Sequence, residues 1–587
     1  MTIRQSALFP AALAASALST LGVGARAQSS LYTVYGDSSW DHFGRSLAGV
    51  GDIDGDGRGD FVVGAQNDDD HGSNSGSARV FSGATGSVLY TFYGDSAGDF
   101  FGWSTDGAGD VDADGCPDVI VGAMWDDDFG NNSGSARVFS GATGSVLYTF
   151  YGDSAEDIFG RSVGGAGDVN ADGYDDLIVG AEGDDANGPD SGTVWVFSGL
   201  DGGVLHVFHG DSPGDFFGTS VSCAGDVNAD GYDDLIVGAL YDDDNGPDCG
   251  SARVFSGLDG SELYTFYGDS PGDLFGWFGV GAGDVNADGF DDLVVGASGD
   301  DDNGSNCGSV RVLSGQDGSV LFTFFGDSAG DQLGLWVAAA GDFNADGYAD
   351  VLAGAPLDDD NGADSGSARV FSGLDGSVLL TLFGDSAGDR FGWSVSGFGR
   401  ANADASDDLI VGAVYDDVTG IDAGSVRVIA GFDVVGTPYC WGDGSGMACP
   451  CANFGSPGEG CANSTGSGGR LSGSGSTSVI ADDLEFGAQH LLAGQPALLF
   501  EAVEALNNGD GFTFGDGLRC AGVNLVRLQI RTPDAVGAVT FGPGLAPIGG
   551  WSSGQTKHFQ AWYRDPGGSP CGSSFNLTNG VEITFTQ

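Results

Sequence analysis

Apolar and polar positions along most of this chain fall into a unit that returns every 58 residues. In the copy that opens at Phe159, the run Phe159-Gly160-Arg161-Ser162-Val163 begins a strand leading to an aspartate-rich loop at Asp168. Leu177-Ile178-Val179-Gly180-Ala181 is a short, wholly apolar second strand, and the polar segment Asp184 to Gly188 turns the chain. Thr193 to Phe197 is a third strand, Ser198 to Gly202 a hairpin turn, and Val204 to Phe208 a fourth strand. Gly210-Asp211-Ser212 then leads into the next copy. Four short strands with Gly/Asp turns and no helical periodicity describe one antiparallel blade. Blades repeated at a fixed interval bury their apolar faces on one another.

The ends of the array choose between an open stack and a ring. Leu31 to Ser38 reads as a fourth strand with no blade before it. Ser425 to Ile429 reads as a third strand with no fourth after it. The two fragments complement each other, so the first strand is expected to complete the last blade and remove the exposed edges. The expected fold class is all-β: a seven-bladed β-propeller closed by its N-terminal strand. A disulfide-containing, β-sandwich-like C-terminal domain follows it.

Three segments are expected: a signal peptide over residues 1–27, the propeller over 28–436 and a Cys-containing all-β domain over 437–587. Arg4, the Ala-rich run Ala7 to Val23 and Ala25-Arg26-Ala27 fit a secretory leader cleaved before Gln28. No later stretch is apolar for long enough to span a bilayer. A formal charge of −65, from 84 acids against 19 Lys plus Arg, repels nucleic acid and anionic lipid. Of the ten cysteines, Cys440, Cys449, Cys451, Cys461, Cys520 and Cys571 lie in the C-terminal region. In an exported chain they suggest up to three disulfides, with the pairing open.

The acids are not scattered. Asp52-x-Asp54-x-Asp56-Gly57-x-x-Asp60 recurs as Asp110, Asp112, Asp114 and Asp118; Asp168, Asn170, Asp172 and Asp176; and Asp226, Asn228, Asp230 and Asp234. It returns again as Asp284, Asn286, Asp288 and Asp292, and as Asp342, Asn344, Asp346 and Asp350. Alternating carboxylates on a tight glycine-bearing loop supply the hard oxygens calcium takes. The seventh position holds Arg58, Cys116, Tyr174, Tyr232, Phe290 and Tyr348, a mixture that makes sense for a backbone carbonyl ligand. An EF-hand needs an acid at the twelfth position, where this chain has Val63, Val121, Val179, Val237, Val295 and Ala353. About six Ca²⁺ are expected, one per blade except the last. There Arg400 replaces the first Asp, and its guanidinium is expected to stand in as an internal cation near Asn402, Asp404 and Asp408.

Phe-Gly, then the Asp loop, then Val-Gly-Ala (Phe43-Gly44 with Gly64-Ala65, Phe217-Gly218 with Gly238-Ala239) resembles the FG-GAP repeat of the integrin α-subunit β-propeller over about residues 30 to 436. The resemblance implies calcium loops on the lower face of a ring and ligand recognition on the opposite face. Integrins use only some blades for calcium, whereas six here carry the full set. No inserted von Willebrand-type domain is present, so a heterodimeric receptor is not implied.

Other motifs compete for attention. Gly94-Asp95-Ser96-Ala97-Gly98 matches a nucleophile elbow, but the phrase recurs through the array while the histidines do not. Arg58-Gly59-Asp60 spells an adhesion tripeptide whose Asp60 is committed to the loop. Acid runs such as Asp68 to Asp70 and Asp126 to Asp128 share a face with the Gly-Asp-Ser turns. They read as weak cation sites, as an electrostatic surface, or as a solvated acidic face. Arg79, Arg137, Arg253, Arg311, Arg369 and Arg427 share one third-strand position, with Trp195 in the remaining blade, and are expected to tie blade to acidic loop.

The expectation is a secreted or cell-surface, calcium-stabilised, monomeric binding or adhesion module, not an enzyme, with an extracellular protein or glycan as partner. The alternative is an extracellular hydrolase or lyase acting on polysaccharide or phosphoester at the upper propeller face. The C-terminal region fits a sorting, anchoring or carbohydrate-binding role equally.

Overall fold

The computed structural model describes residues 30–586, apart from 403–405, 433–434, 436, 443–446, 456–458, 475–476, 483, 535–536 and 567–569. The expected leader, and Asp404 of the last loop, therefore lie outside the described residues. Each repeat folds as expected, into a four-stranded antiparallel sheet. In the first, Phe43–Gly51 pairs with Asp60–Ala65, then Ser77–Phe81, then Val88–Tyr93. The equivalent sheets follow in chain order through Trp336–Gly341, Asp350–Ala355, Ser367–Phe371 and Val378–Phe383. The last three strands, Phe391–Gly397, Leu409–Ala413 and Ser425–Ile429, take their fourth from Ser30–Tyr35, which pairs Val34 with Val426. Repeated sheets of this kind fit a β-propeller.

The apolar patterning explains the strand order within each sheet. The second strand is buried along its whole length, as its unbroken apolar run demands, while the fourth is half-exposed. Sheets stack face to face, and the core lies between them. Val62 and Val80 of the first sheet pack with Phe101, Val121 and Phe139 of the second. Fourth-strand rings stack on the next third strand, Phe92 on Phe139 at 3.9 Å and Phe208 on Phe255 at 4.2 Å. Two motif glycines are dictated by this packing. A Cβ on Gly64 would lie 2.1 Å from the Gly102 carbonyl oxygen of the next sheet. One on Gly102, at φ +84°, would lie 2.2 Å from that of Ser77. The Phe-Gly and Gly-Ala pairs are thus where neighbouring backbones touch.

Beyond the repeats, a five-stranded sheet and a three-stranded sheet share one core, with Leu471, Phe486 and Phe541 against Leu499, Phe559 and Tyr563. The six cysteines of this region pair as Cys440–Cys520, Cys449–Cys461 and Cys451–Cys571.

Candidate metal centre

Each aspartate loop joins the first strand to the second, and the backbone coils around its carboxylates. In the first loop Asp52 Oδ1 accepts from the N–H groups of Gly55 and Asp56, and Oδ2 accepts from Gly57 at 2.8 Å. Asp54 accepts from Asp56, and Asp56 from Arg58. Asp60 is fully buried; its carboxylate accepts from Ile53, Asp54 and Gly83, which fixes the loop to the strand and to the next turn. The same bonds recur in the other copies, for instance with Asp226, Asp230 and Asp234 as acceptors.

Two observations test whether a cation fits. Oxygens from Asp52, Asp54 and Asp56 lie within 4.8 Å of one another, as do those from Asp110, Asp112 and Asp118. Calcium ligands at 2.3–2.6 Å from a common centre are spaced about that far apart. Asn286 Oδ1 and Asn344 Oδ1, at the third position of their loops, are buried with no hydrogen-bond partner among the described residues. A buried acceptor left unpaired by the protein at a ligand position fits a role in holding a cation. In the third and fourth loops the amide nitrogens of Asn170 and Asn228 donate to Asp176 and Asp234. Burial lifts the ninth-position carboxyls, to about 6 at Asp60 and Asp118, about 7 at Asp176 and Asp234, and about 8 at Asp350.

Three features of the site differ from what the sequence leads one to expect. The eighth-position residue links successive loops. Asp175, Asp233, Asp291 and Asp407 each accept the backbone N–H of the first-position Asp one loop earlier, at 2.7 to 3.2 Å. Arg400 does not fill its loop as an internal cation. It is more than half exposed, and its ion pair is with Asp407 at 4.0 Å, because the loop is held without it by Asp408, which accepts from Ala401, Asn402 and Gly431. Instead Arg58 of the first loop donates to the Asn402 carbonyl. The sixth loop is covered, with Asp346 only 5% exposed and 3.3 Å from Arg470 of the C-terminal region.

The opposite end of the sheets gathers the other acids. Asp37, Asp41 and Asp68 come together, as do Asp95, Asp126 and Asp128, and Asp153, Asp157 and Asp184. Four third-strand arginines bridge two acids each, as Arg253 does between Asp211 at 2.6 Å and Asp242 at 3.4 Å, while Arg311 and Arg427 each pair with one, Asp269 and Asp385. A hydroxyl at the start of the third strand donates to the same acid in every repeat sheet, Ser77 to Asp68 and Thr193 to Asp184, whether the arginine is present or replaced by Trp195. The elbow-like serines are turn residues, with Ser96, Ser212 and Ser270 donating backbone N–H to Asp99, Asp215 and Asp273. Asp60 of Arg58-Gly59-Asp60 is buried, so the tripeptide is not presented.

The FG-GAP repeat family matches residues 43–81, 101–139, 159–197, 217–254, 275–313 and 334–371, leaving the degraded last copy unmatched. Integrin alpha-5 of Xenopus laevis is 32% identical over 227 residues, 35% of this chain and 20% of its own length. Integrin alpha-6 of Homo sapiens is 30% identical over 161 residues, 26% of this chain and 14% of its own. The chain thus spans a fifth or less of the length of these relatives. Among solved structures, Saccharomyces cerevisiae Sqt1 aligns over 72% of this chain and 94% of its own at 11% identity, with a TM-score of 0.38. The chain is an FG-GAP repeat protein whose repeats resemble the N-terminal propeller of integrin α-subunits.

Proposed function

We propose that this protein is an exported, calcium-binding propeller that acts as an extracellular binding or adhesion module for a protein or glycan. The observation that carries the calcium reading is the pair of orphaned buried oxygens, Asn286 Oδ1 and Asn344 Oδ1, at ligand positions. In each of the six full loops the first, third, fifth and ninth side chains and the seventh carbonyl are the proposed ligands, and calcium's role is structural. Metal that binds only the folded state stabilises it by about 2.7 kcal/mol per site at a hundredfold excess over Kd. Chelator should therefore lower the melting temperature by more than about 5 °C. A melting curve unmoved by chelator and by added calcium counts against the reading.

The same reading takes the sheets as seven blades in a closed ring over residues 28–436, with a separate domain over 437–587 and a leader before Gln28. Bonds that link consecutive sheets recur between the last and the first. Ser46 and Ser104 donate to the Gly102 and Gly160 carbonyls of the following sheet, and Ser394 donates to Gly44. Asp175 and Asp291 donate backbone N–H to the first-position carbonyl one loop back, and Gly59 donates to Arg400. A shared core of Leu47, Phe61, Ile410 and Val428 lies across the same junction. Deleting residues 28–36 should open the ring, with early unfolding and protease cleavage in the first and last repeats. Uniform protection of the truncated chain would argue for an open array. The exposed disposition and extracellular setting accord with the integrin likeness, and the partner is proposed to meet the face opposite the calcium loops, as a monomer's surface.

A further inference from the structure

Near the start of the first strands the blades stop being interchangeable. Two places beyond the motif phenylalanine stand Arg45, Trp103, Arg161, Thr219, Trp277 and Trp393, in a chain whose loops and second strands repeat almost verbatim. All of them line one cavity of about 130 Å³, which touches the first strand of every sheet. The Arg45 guanidinium lies 4.1 Å from the Trp103 ring centre and 5.6 Å from that of Trp393. Arg161 also faces Trp103, but it is neutralised by Glu182 at 3.0 Å. Among the described residues the Arg45 guanidinium makes no ion pair or hydrogen bond; the one acid lining the cavity, Asp106, has its carboxyl lifted by burial to about 7. Burial and the neighbouring Arg161 pull its pKa down to about 9. The indole N–H groups of Trp103 and Trp393 are likewise buried and without a partner. Buried donors such as these two indole N–H groups are rarely left unpaired, and the partly exposed Arg45 side chain opens onto the same cavity.

We propose that this cavity is an anion site in which Arg45 binds the carboxylate of one small acid, with the Trp103 and Trp393 N–H groups as further donors. The aromatic walls take the apolar or sugar-ring face of the same molecule. The room matches the space of about 150 Å³ in which one benzene ring fits. A polyanion is disfavoured both by that room and by the chain's formal charge of −65. The carboxylate comes from a short-chain acid or from an acidic monosaccharide. This inference rests on the binding-module reading and gives it a ligand chemistry.

Calorimetry and tryptophan fluorescence on the full chain, in calcium buffer at constant ionic strength, test it with sodium acetate, sodium glucuronate and glucose. Both acids should bind saturably and glucose should not. Arg45→Met should weaken both acids about tenfold or more, as expected on losing a charge-assisted pair. Trp393→Phe, which keeps an aromatic wall and removes the N–H, should weaken them several-fold. Equal affinities mean that the carboxylate alone is read, and tighter glucuronate means that the ring is held too; either supports the site. No saturable binding of either acid, glucose binding as well as glucuronate, or unchanged affinity in Arg45→Met overturns it. Should Arg45→Met fail to fold, unchanged affinity in Trp393→Phe and Arg45→Gln does so instead. Loss of acid binding with chelator-sensitive melting would remove this site and leave the calcium reading standing.

Discussion

Asp230 and Asp234 share one loop and are proposed to bind one ion, yet their debts to the fold differ. Asp234 is fully buried and accepts backbone N–H groups from Val227 and Gly257, both at 3.1 Å. Asp230 is exposed and, among the described residues, accepts only from Tyr232. Asp234→Ala should therefore destabilise by about 1–3 kcal/mol for each N–H left unpaired, with calcium or with chelator present. Asp230→Ala should destabilise in calcium and be nearly neutral in chelator. Urea melts of both variants under both conditions check this, and an Asp230→Ala effect that persists in chelator contradicts it. Ligand spacing was legible in the sequence because residue type alone encodes a hard oxygen donor. The link made by Asp175 or Asp291 was not, because its partner lies a whole loop away and only sheet stacking brings the two together. Arg400 misled for a related reason: its charge was readable, but not that Asp408 already satisfies the loop's backbone.

Third-strand arginines show how one sequence position acquires different weight from its element's surroundings. The Arg253 and Asp242 side chains are 8% and 1% exposed, whereas Arg427 pairs with an Asp385 that is 80% exposed. Removing one partner of a buried pair leaves an uncompensated charge and costs about 3–5 kcal/mol. Breaking an exposed pair costs about 0–1 kcal/mol. Arg253→Met should accordingly lose about 3 kcal/mol in equilibrium unfolding and Arg427→Met less than about 1 kcal/mol. Equal losses would show that the two ties do not differ in burial as described. Strands themselves were legible from apolar runs bounded by Gly/Asp turns, and the whole-length burial of Leu177 to Ala181 follows from its composition. The role of the Phe-Gly and Gly-Ala glycines needed the structure, since a close backbone approach leaves no mark in hydropathy.

At the scale of the whole molecule, a chain with 84 acids holds together by giving them different partners: backbone N–H groups in the loops, arginines at the opposite end and, as proposed above, calcium. The fixed 58-residue interval made the repeated sheets readable in advance. Cysteine pairing was not readable, because spacing does not encode which of Cys440 to Cys571 approach one another. Nor was the cover that Arg470 places over Asp346, a contact between residues 124 apart. The calcium proposal stands or falls on the metal count. Native mass spectrometry of the chelated, folded chain titrated with calcium should reach six bound Ca²⁺, one for each full loop, with the Arg400 copy left out. A folded chain that holds none or one at saturating calcium would refute it.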